Sequence, residues 1–302
     1  MLDILAEQGV RSFETYDVEG FRGLVEAFAG LQAPKQDVTS VIDYDNNGLA
    51  VRVVVPAGAG DEPLPIIVNY HGGGWVGGSL DVVEEPGRAL ANATGAIVVL
   101  PEYRLAPEHK FPAGPDDAFS ALKWAIAHAE EIGGDVARVG VMGDSAGATL
   151  AAATAVRARD EGIDLAFQVL EYPVIDGAEN TESFVEMSEG YLLHSAAGPY
   201  LWGHYLNSPE DIKHPYASPS HADLTGLPPT LVITLEYDPT RDAAELFAVQ
   251  LKESGVPTTH VRIDGLIHAS GWMSGAIPRS AEILDAASRF IQAVLEPAVA
   301  GR

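Results

Sequence analysis

The chain has 302 residues, 47% of them apolar, with 18 Lys and Arg against 43 Asp and Glu and a formal net charge of −25. That apolar fraction supports a large buried core and excludes a disordered chain, while the acidity excludes nucleic acid and anionic membrane surfaces as partners, because both are held by clustered cations. There is no cysteine, so disulfides, thiolate catalysis and Cys-based zinc or iron centres are excluded.

The opening stretch "MLDILAEQGVRSFETYDVEG" carries no basic segment followed by an apolar core, and no apolar run reaches membrane-spanning length. A soluble, cytoplasmic protein is expected, its acidity serving solubility or a salty environment. Residues 1–40 read as amphipathic helix, with Leu24, Val25, Phe28 and Leu31 at helical spacing before Pro34 ends the pattern. "TSVIDYD" and "LAVRVVVP" read as strands joined by the turn "NNG". Strands and helices then alternate: "PIIVNYH", a glycine loop and helical "LDVVEEPGRALANATG"; "AIVVLPEYR" and the helix around "AFSALKWAIAHAEEIG"; "RVGVM" and the helix "ATLAAATAVRARD". "AFQVLEYPV", "PTLVITLEYD" with the helix "TRDAAELFAVQLKESG", and "THVRIDG" with the closing helix "SAEILDAASRFIQAVL" complete the series. Continuous apolar runs alternating with helices imply an α/β fold, an open, mostly parallel sheet covered on both faces, here with an antiparallel start. The paired acids of "VVEEP" and "AEEIG" read as solvated helix surface.

Residues 178–228 interrupt the alternation and are too long for an ordinary connection. Their aromatics Phe184, Tyr191, Tyr200, Trp202 and Tyr205 suit either a cavity wall or plain packing. The histidines of this insertion, His194, His204, His214 and His221, form no close pair on one helix face and read as polar residues rather than metal ligands. No metal or cofactor is expected.

The stretch "GDSAG", Gly143 to Gly147, falls between the apolar run "RVGVM" and a helix. A serine between two glycines there is either a turn or a nucleophile held on a sharp strand-to-helix bend. A nucleophilic serine needs a base within hydrogen-bond reach and an acid to orient that base. Downstream, Asp238 stands at a strand exit; Glu236 lies within the strand and Asp242 in the following helix, so Asp238 is the expected acid. Of the two later histidines, His260 opens a strand and His268 sits in the loop after it, so His268 is the expected base. "His71-Gly72-Gly73-Gly74-Trp75" follows a strand and offers unobstructed N–H groups. No Lys or Arg accompanies it, which argues against a phosphate cradle. Gly73 and Gly74, with Ala146, are the expected oxyanion donors, and His71 is expected to brace the loop.

Taken together, HGGGW, GDSAG, Asp238 and His268 in this order closely resemble the bacterial hormone-sensitive-lipase-like (family IV) esterases of the α/β-hydrolase superfamily. "YRLAPEHKFPAG" with Asp117 after it, "EYDPTRD" and "YPVID" add to the resemblance, which covers about residues 66–270. It implies a serine carboxylesterase for small, short-acyl esters. It also implies a cap built from residues 1–40 and the insertion 178–228 over a catalytic domain of residues 41–302. The same triad serves amide or N-acetyl hydrolysis, and a catalytically silent ligand-binding relative is a third reading. Two places depart from the family pattern: Ala269 and Ser270 follow the histidine where a glycine–aromatic pair is common, and Asn69 and Glu102 stand at strand ends where other residues are usual. The small-molecule ester is the expected partner, and a homodimer is left open.

Overall fold

The computed structural model describes residues 10–177 and 180–296. The expected helical reading of residues 1–9, and of positions 178–179 at the start of the insertion, lies outside them. From residue 10, the N-terminal region is less helical than its spacing suggests. Helix α1 (Val18–Ala27) is capped by Asp17, whose side chain accepts from Gly20 N–H, and is flanked by single 3-10 turns at Phe13–Thr15 and Phe28–Leu31. Phe13, Phe21, Val25 and Phe28 turn inward.

Strands β1 (Ser40–Asn46) and β2 (Leu49–Val55) form the expected hairpin. Its two linking residues, Asn47 and Gly48, both have positive φ, 54° and 92°, the backbone twist that matches paired strands. Then come β3 (Leu64–Tyr70), α2 (Leu80–Thr94), β4 (Ile97–Pro101), α3 (Ala113–Ala127), β5 (Gly134–Asp144), α4 (Ala146–Asp160) and β6 (Gln168–Glu171). The insertion supplies two short helices, α5 (Glu182–Glu186) and α6 (Ala197–Tyr205), and 3-10 turns at Pro209–Lys213 and Pro219–His221. Strand β7 (Thr230–Tyr237), α7 (Arg241–Glu253), β8 (Thr258–Ile267) and α8 (Ala281–Leu295) finish the chain. The sheet order is β1-β2-β4-β3-β5-β6-β7-β8. β2 runs antiparallel to both its neighbours, and β4 through β8 are parallel. Strands β4 and β6 are buried at every residue, whereas β1, at the edge, is half exposed. That contrast is what two-sided helical cover of a parallel sheet requires.

Two expectations are corrected here. The last strand continues through "DGLI" to Ile267, with a register shift against β7 and Gly265 at φ 79° taking up the irregularity, so His268 directly follows a strand end. Glu84 and Glu85 are buried, not solvated: Glu84 is held by Arg52, Arg88 and Lys35, and Glu85 accepts from Ser274. The "AEEIG" acids are exposed as expected, but in a turn beyond α3.

The five aromatics of the insertion divide between wall and packing. Phe184 and Trp202 line the cavity above Ser145. Tyr191 stacks on Tyr237, and Tyr200 donates to the Tyr16 carbonyl. Tyr205 lies flat on Trp75, with centroids 4.4 Å apart and planes 9° apart, and joins the insertion to the glycine loop. Tyr205→Ala should therefore cost about 3–5 kcal/mol, as other buried aromatic truncations do. Tyr205→Phe keeps the ring and should stay within about 1.5 kcal/mol of the parent; denaturant titration of both variants checks this.

Candidate active site

Ser145 occupies the single-residue junction between β5 and α4, at φ 52° and ψ −123°. A non-glycine residue there is strained. The backbone is forced into it by close approach on both sides. A Cβ on Gly147 would lie 2.0 Å from the Tyr70 carbonyl oxygen, and one on Gly143 would lie 2.3 Å from the Gly147 oxygen. Only glycine fits either position, so the glycines of the motif are packing requirements that push the serine side chain outward.

The Ser145 Oγ lies 2.7 Å from His268 Nε2, and His268 Nδ1 lies 2.7 Å from Asp238 Oδ2. Asp238 is completely buried, and its second oxygen accepts from both the N–H and the hydroxyl of Thr240, each at 2.8 Å. The alternative residues are engaged elsewhere. Glu236 accepts from Gly265 N–H, Asp242 accepts from Ser183 N–H and from Arg241, and His260 contacts Thr234. Ser145, Asp238 and His268 are thus brought together in the order the sequence suggested.

The glycine loop arches over Ser145. Gly73 and Gly74 both have positive φ, 104° and 61°, a conformation glycine adopts without penalty. A Cβ on Gly73 would meet the Gly77 carbonyl at 2.2 Å, and one on Gly74 would meet Leu201 at 2.7 Å. Among the described residues, neither N–H has an acceptor within the protein. Ala146 opens α4, so its N–H is one of the unpaired donors at a helix start. His71 does brace the loop: its ring stacks on Tyr103 at 4.2 Å and its Nδ1 bonds the Gly72 carbonyl. Burial lowers the pKa of His71 to about 4, so its ring is neutral.

Several participants escaped the sequence reading. Asp144 is buried and accepts the Gly72 N–H at 3.0 Å, tying the loop to the serine bend. Its position inside the GDSAG motif was the available signal. Burial raises its pKa to about 6, against the opposing pull of the Gly72 N–H. Thr240, two residues after Asp238, was legible as a short polar turn. Tyr172, Trp272 and the N-terminal aromatics Phe13, Phe21 and Phe28 converge on the site from distant segments; Tyr172 opens the YPVID block and Phe28 stood at helical spacing, but nothing local pointed either of them at Ser145. His194, read as a polar residue of the insertion, lines the same cavity. That cavity has a volume of about 80 Å³ and mostly apolar walls. Four non-glycine residues with positive φ, Trp75, Ser145, Tyr172 and Ala269, border the site. Ala269 is the departure noted after the histidine: at φ 63° it carries strain that a glycine avoids. Ser270, the second departure, closes a turn by bonding the Ile267 carbonyl. Glu102 accepts the Leu80 N–H at the start of α2.

Beside Asp144, in register on the neighbouring strand, stands Glu171. It is 9% exposed. Burial, reinforced by the charge of Asp144, raises its pKa to about 8. No group of three or more His, Asp or Glu side chains among the described residues is placed to hold a metal, and no helix there is long and apolar enough to cross a membrane.

Comparison with known proteins follows the same lines. A family profile described as alpha/beta hydrolase fold matches residues 67–271. The chain is 34% identical over 274 residues to an arylesterase of Saccharolobus solfataricus, covering 89% of each. It is 38% identical to carboxylesterase NlhH of Mycobacterium tuberculosis over 80% of this chain and 77% of that one. A solved structure of a hyperthermophilic esterase from the archaeon Pyrobaculum calidifontis superposes with a TM-score of 0.89 at 39% identity, over 97% of this chain and 96% of that one.

The electrostatics yield a stability test. Glu171 holds its proton to about pH 8 when folded, against an ordinary value of 4.5. Its stabilising contribution is therefore complete below pH 4.5 and is lost as pH rises to about 8. Glu171→Gln should remove that component, flattening the fall of stability across this window by up to about 1.4 kcal/mol per pH unit. Urea titrations at a series of pH values measure it.

Proposed function

The chain belongs to the α/β-hydrolase fold family, among its hormone-sensitive-lipase-like esterases, and on that premise we propose that it is a serine carboxylesterase for small, short-acyl esters. The observation that carries this reading is the unbroken chain of contacts Ser145–His268–Asp238, each link 2.7 Å, beneath a loop with free N–H groups. Similarity to proteins named arylesterase and carboxylesterase supports the ester over other substrates.

In this mechanism Ser145 Oγ attacks the ester carbonyl while His268 Nε2 takes its proton. Asp238 fixes the ring through Nδ1 and offsets the imidazolium charge; Thr240 keeps that carboxylate from turning. The carbonyl oxygen becomes negative and is held by the N–H groups of Gly73, Gly74 and Ala146, each worth roughly 2.7–4 kcal/mol where such donors have been removed. His268 passes its proton to the leaving alcohol, then takes one from a water that attacks the acyl-enzyme. Collapse returns the serine and releases the carboxylic acid. The same reading assigns residues 1–40 and 178–228 to a cap over a catalytic body of residues 41–302.

The small, mostly apolar cavity over Ser145, about 80 Å³, supports the short acyl group. Ser145→Ala, and separately Asp238→Asn, should lower kcat for p-nitrophenyl butyrate by about 10⁴-fold or more. Near-parental turnover in Ser145→Ala would overturn the assignment of the nucleophile. Across an acyl-length series, kcat/KM should peak at two to four carbons and fall by at least about tenfold at twelve, a loss of roughly 1.4 kcal/mol or more. A preference for the long esters would sink the short-acyl reading.

A further inference from the structure

A second cavity lies behind the site, between the sheet and helices α2 and α8. Its volume is about 210 Å³, larger than the space over Ser145. Asn69, Met142, Asp144 and Glu171 form its floor. The register pairs Asn69↔Met142 and Asp144↔Glu171 set all four on one sheet face. Glu85 reaches it from α2. Three carboxyl-bearing residues therefore line the cavity, with no Lys or Arg.

Two of these carboxyls are occupied. Asp144 accepts from Gly72 N–H, and Glu85 accepts from the Ser274 hydroxyl. Glu171 differs. It is only 9% exposed and lines the cavity, yet its side chain contacts no donor among the described residues. Burying a carboxyl with no partner is costly, and the proposed ester chemistry makes no use of this group. Lys35 and Arg88, next in sequence to the lining residues Gln36 and Ala89, are paired with Glu84. Around this acidic floor the walls are apolar, formed by Val83, Leu90, Ile283 and Leu284.

We propose that this rear cavity is a binding site for a small organic ammonium, a primary alkylamine of a few carbons. Its charged head meets Glu171 and Asp144, and its chain lies along Val83, Leu90 and Ile283. A metal ion fits less well, because no three acidic or histidine side chains among the described residues converge to hold one. The cavity reaches solvent where exposed Gln36 and half-exposed Ala89 border it. The bound head supplies the counter-charge that Glu171 lacks. Glu171 carries a proton at neutral pH because of its burial, so seating the cation sends that proton to the buffer and changes no covalent bond elsewhere. The titratable groups facing Glu171 are Asp144 on β5, Tyr172 just after β6 and Glu85 on α2; β3 offers Asn69, the 3-10 turn before α8 offers Ser280, and the segment before β1 offers Gln36.

Isothermal titration calorimetry of the full chain tests this directly. The titrant is n-butylammonium chloride at pH 7, in two buffers of different ionisation enthalpy, with KCl matching the ionic strength and n-butanol as the uncharged comparator. The expected result is saturable binding with release of about one proton and no comparable binding of n-butanol. Glu171→Gln, shown to be folded by circular dichroism, should weaken binding at least about tenfold, as removal of one member of a buried charge pair does. Ala89→Trp, which narrows the mouth without touching the carboxyls, should weaken it as well. Absence of saturable heat in the parent, binding without proton release, equal affinity in Glu171→Gln, or equally tight n-butanol would each overturn the proposal.

Discussion

The arrangement rests on one steric constraint: three backbone segments meet where no side chain fits. The end of β3, the end of β5 and the start of α4 approach so closely that Cβ atoms on Gly72, Gly143 and Gly147 would fall 2.0–2.4 Å from their neighbours. Within that contact Ser145 has one backbone conformation open to it, the strained one, and its hydroxyl projects past the sheet end. Asp144 adds a polar lock by bonding the Gly72 N–H across the same junction. The serine bend and the glycine loop are therefore tied into one unit, as the proposed oxyanion donors would need to be before charge develops.

The loop is thin because it is packed from two sides. Leu201 of α6 sits where a Gly74 side chain would go, and Phe21 and Val25 of α1 press on Gly77. Trp75, held at φ 61°, stacks on Tyr205 and tilts against Trp202. The N-terminal helix and the insertion, far apart in the chain, thus close on the same few residues. That convergence leaves a small apolar space over Ser145, where electrostatic interactions are strong for want of water.

The acidity of the chain has an internal as well as an external expression. Most of the excess carboxylates lie at the surface, where they contribute charge but little specific structure. A few do not. Glu84 gathers three cations around it, whereas Asp144, Glu171 and Glu85 share a cavity without any. Desolvation governs that second group, raising the pKa of each. Of the three, Glu171 is the one that holds its proton to about pH 8, a short distance from the loop that Asp144 anchors.

The amino-acid order alone was enough to determine the parallel sheet, the hairpin start and the serine bend, and it singled out Asp238 and His268, which the structure brings into contact with Ser145 in a chain. Each of these depends on short-range features: continuous apolar runs, Asn47-Gly48 at a hairpin, two glycines flanking a serine, an acid at a strand exit and an imidazole in the loop after the last strand. Tertiary structure alone decided which acids are buried, why β8 runs on to Ile267, and which aromatics wall the cavity rather than pack beneath it. Glu85 looked like helix surface because it stands beside a second acid, Glu84, yet the segment around Ser274, almost two hundred residues later, covers it. Burial is set by which distant segments meet, and spacing along one segment carries no record of that meeting.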